Sequence, residues 1–200
     1  TGLFEGEVLG SITLDGTEIT GKDPRDILDS GLGYVPEDRE HDGLIGSFTV
    51  TENLVLDQVS NAPYSSGGVL KNSVIDRTAV DLIEEFDVRT QGAKAPVSSL
   101  SGGNKQKVVM AREMSRELRV LVAAQPTRGV DVGSIEFLHK RIVAERERGA
   151  AVLIISSELD EIYALADRIA VMYRGAIIGM VGPDTSRDDM GLLMAGVTND

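Results

Sequence analysis

There is no cysteine and no tryptophan in this 200-residue chain. Without cysteine it forms no disulfide and no thiolate metal site, which is compatible with a reducing compartment. Aromatic residues make up only 4%, so stacking platforms for bases or sugars are scarce. Basic residues are outnumbered: 20 Lys and Arg against 32 Asp and Glu give a net charge of −12. Nucleic acids and anionic membranes are gripped by clustered Lys and Arg, so neither is an expected partner. Long apolar runs are missing too. A membrane span needs roughly 20 apolar residues, whereas the longest runs here are Val120–Ala124 and Ala150–Ile155. Direct membrane insertion is therefore not expected, and no signal-peptide pattern is visible.

What remains is an ordinary globular composition, 42% hydrophobic and 26% charged. That is enough for one domain with a real core. The chain opens on Thr1, and "TGLFEGEV" does not read like a natural start; a piece of a longer protein is expected.

Along the chain, "GEVLGSITLDGTEIT" alternates around Asp15-Gly16 and reads as a hairpin of short edge strands. Asp23 and Pro24 open a short helix to about Ser30. "GLGYVP" is a brief strand and "EDREHDGLIGS" a polar loop. Thr49 or Thr51 caps the next helix. Residues 57–72, rich in Ser, Gly and Asn, form the expected flexible stretch. Helices follow at about 73–86 and 104–117, the second with Val108, Ala111, Met114 and Leu118 on one face. From Val120 the pattern becomes strand, helix, strand, helix, strand, which predicts parallel βαβ units. "AVLII" is apolar throughout, as a strand covered on both faces would be.

Several motifs bear on chemistry. "GTEITGKD", Gly16–Asp23, fits the phosphate-loop pattern G-x-x-x-x-G-K. Asp23 stands where that loop has Ser or Thr, and the segment follows an edge hairpin; a surface turn is expected. "LSGGNKQKVVMARE", Leu100–Glu113, is stronger. A Ser-Gly-Gly turn opens a helix, whose N-terminus favours anions. Gly102 and Gly103 leave backbone amides uncovered by side chains. Ser101 can cap the helix or donate its hydroxyl to a phosphate oxygen, and Lys105 and Lys107 add positive charge. An ordinary Ser-Gly cap is the plain alternative.

This segment resembles the signature motif of ABC-transporter ATPases, LSGGQ, with Asn104 at the Gln position. "LSGGNKQKV" looks like the version in importers of simple sugars and nucleosides. Other segments resemble the family in its order. "GYVPEDREHDGL" is similar to the Q-loop region of the second ATPase half. "PTRGVD" is similar to the stretch after Walker B, ending in the D-loop aspartate, Asp131. "LIISSELDEIYALADRIAVMYRG" is similar to the switch-loop strand, its helix and the next strand. The resemblance implies a RecA-like P-loop α/β core with a helical subdomain carrying the signature. It divides the chain into core at 1–46 and 119–182, helical subdomain at 47–118, and C-terminal tail at 183–200. It places the Walker A loop upstream of Thr1, with "TGL" as the end of its helix.

The departures from the family concern one site. Walker B strands in the family end Asp-Glu, for Mg²⁺ and for the attacking water; here Ala124 and Gln125 hold those positions. Alanine offers no oxygen, and an amide is no base near pH 7. Ser157 stands at the switch histidine and Glu37 at the Q-loop position, where a carboxylate would repel γ-phosphate. His41 and His139 match no catalytic position of the family. The damage is asymmetric, because "LSGG" is nearly intact. In the family, ATP lies between Walker A/B of one domain and the signature of another. A domain with a dead site of its own can still lend Ser101, Gly102, Gly103 and Asn104 to a partner.

The resemblance thus implies an ATP-binding domain of a nucleoside or simple-sugar importer, "AAQPTRGVDVGSIEFLH" leaning toward nucleosides. It implies ATP and Mg²⁺ in the full assembly and none in the isolated chain. The implied partners are the first ATPase half of the same polypeptide, or a second ATPase domain, and transmembrane permease subunits. The implied location is the cytoplasmic side of the cell membrane. The alternative is a non-catalytic module that only docks to permease subunits. An ABC ATPase of chromosome maintenance is disfavoured by the acidic charge and the lack of long heptads.

Overall fold

Asp15 and Gly16 both take positive φ, 47° and 74°. They close the tight turn between β1 (Thr13–Leu14) and β2 (Thr17–Glu18), as hairpin turns require. Asp23 then caps α1 (Pro24–Asp29), accepting from the Arg25 N–H at 2.8 Å. Gly16–Asp23 is therefore hairpin and cap, not a phosphate loop. The chain continues into β3 (Leu32–Val35). The "EDREHDGLIGS" stretch is not wholly irregular: Arg39–Gly43 make one π-helical turn, started by Asp38 accepting from the Glu40 and His41 N–H groups.

Thr49 and Glu52 form a reciprocal capping box at the start of α2 (Val50–Leu54). Within the stretch expected to be flexible, β4 (Ser65–Ser66) and β5 (Val69–Leu70) pair as a small antiparallel hairpin. After it comes α3 (Asn72–Glu85) and then α4 (Gly102–Met114). The latter begins two residues before the sequence suggests, because Ser101 caps it directly. It is also buried nearly all round: Val108, Val109, Met110 and Ala111 are each 0% exposed. A helix with only one apolar stripe would not be. Two of its buried charged residues, Arg112 and Glu113, are paired. Arg112 donates to the Gly43 carbonyl at 2.8 Å, and Glu113 accepts from the Tyr34 N–H at 3.1 Å.

Three strands carry the central sheet, in the order β3, β6 (Val120–Ala124), β7 (Ala151–Ile155), all parallel. The helix α5 (Val132–Glu147) supplies the long crossover that a parallel pair needs between the last two. Leu121 and Ala123 on β6 are fully buried. The expectation that "AVLII" is covered on both faces fails for β7: Leu153 is 54% and Ile155 50% exposed. Among the described residues β7 pairs only with β6, so it is an edge strand with an apolar face uncovered.

The structure is a computed structural model that describes residues 1–3 and 6–197. The chain forms two compact units, Thr1–Ile155 and Ser156–Asp200. In the second, α6 (Leu159–Leu165) leads to β8 (Ile169–Tyr173), which pairs antiparallel with β9 (Ala176–Val181). Among the described residues β8 pairs only with β9, across the Arg174-Gly175 turn, and not in the expected parallel manner. The helix α7 (Arg187–Met194) lies within residues 183–200, and its Met190 packs with Ile169 and Val171. Residues 1–3 are not helical; three residues are too few to close a helical turn. No helix among the described residues is long and apolar enough to cross a membrane.

Candidate functional site

The C-terminal end of β6 is where a parallel sheet presents side chains to a ligand. Ala124 ends the strand and is 9% exposed. Gln125 comes next with φ of 49°, left-handed for a residue that has a Cβ. Its N–H donates to the Ile155 carbonyl at 2.7 Å, and its carbonyl accepts from the Arg128 N–H at 3.1 Å. The strand therefore stops in a fixed turn with a methyl group and an amide at its mouth. That donor set does not fit Mg²⁺, which takes oxygen ligands, usually one or two carboxylates. Among the described residues no cluster of three His, Cys, Asp or Glu residues is placed to hold a metal.

Ser101 sits exposed at the start of α4. Its Oγ accepts from the Asn104 N–H at 3.4 Å and from Asn104 Nδ2 at 2.8 Å. Asn104 Oδ1 accepts from the Arg89 N–H at 2.7 Å, which fixes which end of the amide faces Ser101. A serine oxygen accepts two hydrogen bonds and donates one. With both acceptor directions used, the hydroxyl proton of Ser101 is left to donate outward.

The two glycines have neighbours the sequence did not reveal. A Cβ on Gly102 would lie 2.8 Å from Arg39 Nη2 and 3.3 Å from the Gly129 carbonyl oxygen. One on Gly103 would lie 2.7 Å from Asp131 Oδ2. Asp131 itself caps α5: it accepts from the Ser134 N–H and the Ser134 hydroxyl, both at 3.0 Å. Those bonds hold its carboxyl below the usual carboxylate range. The signature-like turn and the D-loop-like turn are thus in contact.

Lys105 and Lys107 do not add free positive charge as expected. Lys105 Nζ bonds both Glu40 oxygens, at 2.7 and 2.9 Å. Lys107 is buried and bonds Asp87 Oδ2 at 2.8 Å, with its ammonium 4.9 Å from the Phe137 ring centre. Glu37 is exposed and paired with Arg128, in the turn after β6. The structure therefore brings Glu37, Ser101–Asn104 and Asp131 into one region of the first unit. Ser157 lies in the second unit. His41 is exposed and bonded to Asp42, which raises its pKa from the ordinary histidine value. Sequence reasoning missed Arg39. The only signal was a basic residue inside an acidic loop.

Two cavities, of about 580 and 440 Å³, lie elsewhere. One is lined by Met114–Arg119 with Glu145 and Arg148, the other by Ile27, Tyr34, Asp57 and Arg112 among others. Neither lining includes Ser101–Asn104 or Ala124–Gln125.

Residues 3–128 match the family model of the ABC transporter. The chain belongs to the ABC transporter family. Its fold is that of the ABC ATPases: a bacterial ABC transporter cassette solved as a dimer superposes with a TM-score of 0.72 over 88% of this chain and 75% of that one, at 19% identity. Among curated proteins, the guanosine import ATP-binding protein NupO of Bacillus subtilis is 47% identical over 94% of this chain. The nucleoside import ATP-binding protein NupA of Lactococcus lactis subsp. cremoris is 48% identical over 94%. This ABC chain spans 37% of the length of each of these two relatives.

Proposed function

We propose that this chain is part of the second ATPase half of an ABC importer for nucleosides or simple sugars, and that it acts across an interface. The observation that carries the reading is the contrast between two ends. β6 closes on Ala124 and Gln125, with no carboxylate for metal or water. The start of α4 keeps Ser101 exposed with a hydroxyl proton to give. ATP held by a partner domain would meet Ser101, Gly102, Gly103 and Asn104, and Asp131 would lie beside them. Mg²⁺ and the chemistry of hydrolysis belong to that partner. Ser101 adds a donor to the phosphates and the α4 N-terminus adds its partial charge.

The partner is the first ATPase half of the same polypeptide or a second ATPase domain. Permease subunits hold the assembly on the cytoplasmic side of the cell membrane. Residues 47–118 form the helical subdomain and 1–46 with 119–182 the α/β core. The nucleoside preference rests on the names of the relatives at 47% and 48% identity. Loss of charge-stabilising groups at a phosphoryl-transfer site costs roughly hundreds-fold or more for each group. The purified chain given ATP and Mg²⁺ is therefore expected to release no phosphate above the blank. Release that scales with chain concentration would contradict a silent site.

A further inference from the structure

The Arg39 guanidinium occupies the space between three segments. Nη1 donates to the Arg128 carbonyl at 2.7 Å and Nη2 to the Gly129 carbonyl at 3.4 Å. The same Nη2 is the atom that a Cβ on Gly102 would meet at 2.8 Å. Arg39 Nε is buried and makes no hydrogen bond, so the side chain is held through its two outer nitrogens. On either side, Glu40 bonds Lys105 and Glu37 pairs with Arg128. The π turn is thus fastened both to the helix that opens with Ser101 and to the turn that leads to Asp131.

We infer that Arg39 is a positioning residue that fixes Ser101 and Asp131 relative to each other, and that residue 102 is glycine in order to seat its guanidinium. A planar fork suits the task, because it reaches two successive carbonyls at once. An ammonium reaches either carbonyl but does not set the angle between them. Gly102 therefore answers to a contact within the chain. It need not be glycine to let phosphate approach. The role of Ser101 and Asp131 in turnover rests on the proposed function above; the seating of Arg39 against Gly102 does not.

The test is a double-mutant cycle in the full two-half protein with its permease subunits. Arg39→Ala, Gly102→Ala and the pair are compared for ATP turnover and for thermal unfolding. A new methyl at 102 displaces the guanidinium first, since that is the tip of a flexible side chain. Each single variant is expected to lower kcat on the order of tenfold to a hundredfold, the scale of an ångström-sized misplacement. The KM for ATP is expected to change less than kcat, because the partner holds most of the nucleotide. The double variant is expected to be no worse than either single one, and Arg39→Lys to recover part of kcat. Effects on kcat that multiply in the double variant would overturn the inference, as would an Arg39→Ala protein with normal kcat. Arg39→Gln replaces Arg39→Ala in the cycle if the latter does not fold. Ser101→Arg is the control. If it leaves turnover intact, the trans reading fails. The seating of Arg39 is then decided by whether the two unfolding shifts add, which would refute it, or overlap, which would uphold it.

Discussion

On the proposed function, Gln125 stands where a carboxylate would take a proton from water, and it stands there in a strained backbone. A left-handed φ costs a residue with a Cβ about 1–2 kcal/mol, and the hydrogen bond to Ile155 holds it there. Restoring the carboxylate is not enough. Gln125→Glu is expected to leave the purified chain without ATP turnover, because Ala124 still gives a metal no oxygen. Phosphate release above the blank by that single variant would show that metal ligation is not what the site lacks. That Ala124 carries no side-chain oxygen is legible from residue identity alone. Side-chain direction at this scale is set by the fold. Asn104 turns toward Arg89 and Ser101, and Lys105 toward Glu40. Each of those contacts joins residues 3 to 65 positions apart, and no local pattern announces the distant ones.

At the scale of elements, caps and turns were readable because their signals are local. Asp23 before Pro24 and the Asp15-Gly16 turn do what their spacing implies, and of the two candidate caps, Thr49 and Thr51, Thr49 is the one used. The start of α4 moved because of a local cap, Ser101; its burial is set by neighbours. The all-round burial of α4 comes from packing against α2, α3, α5 and β3, which periodicity does not count. Burial also sets up a charge conflict behind that helix. Arg116 pairs with Glu113 at 3.0 Å but approaches Asp57 only to 3.6 Å. Both carboxylate oxygens of Asp57 are buried without a hydrogen bond. Burial first, and the Glu113 charge second, raise the Asp57 pKa above its ordinary value. Ionising Asp57 therefore costs the folded state nothing in acid, below the unfolded pKa of about 3.9. The cost grows as the pH rises through the folded value. Asp57→Asn is expected to match the parent in acid and to be more stable at neutral pH, by on the order of 1 kcal/mol. Thermal unfolding across pH measures it; a variant that is less stable at pH 7 would show that the Arg116 pairing outweighs burial.

The whole molecule shows why one half of the functional reading was visible and the other was not. The order of motifs along the chain was enough to identify an ABC ATPase, and the family match and fold agree with it. The β7 face was misread, because an apolar strand gives the same sequence whether or not something covers it. The parallel pairing expected of β8 is not seen among the described residues, where β8 pairs antiparallel with β9 across the Arg174-Gly175 turn. Gly102 and Gly103 were read for what approaches from outside, whereas Arg39 and Asp131 already approach from inside. On the proposed function, this cassette contributes to a partner's ATP site through Ser101. That contribution is read directly from ATP turnover by the full two-half protein in complex with its permease, with and without Ser101→Arg. A fall of roughly a hundredfold or more is expected, with the complex still assembled. Turnover at the parent level from the assembled Ser101→Arg complex would contradict it.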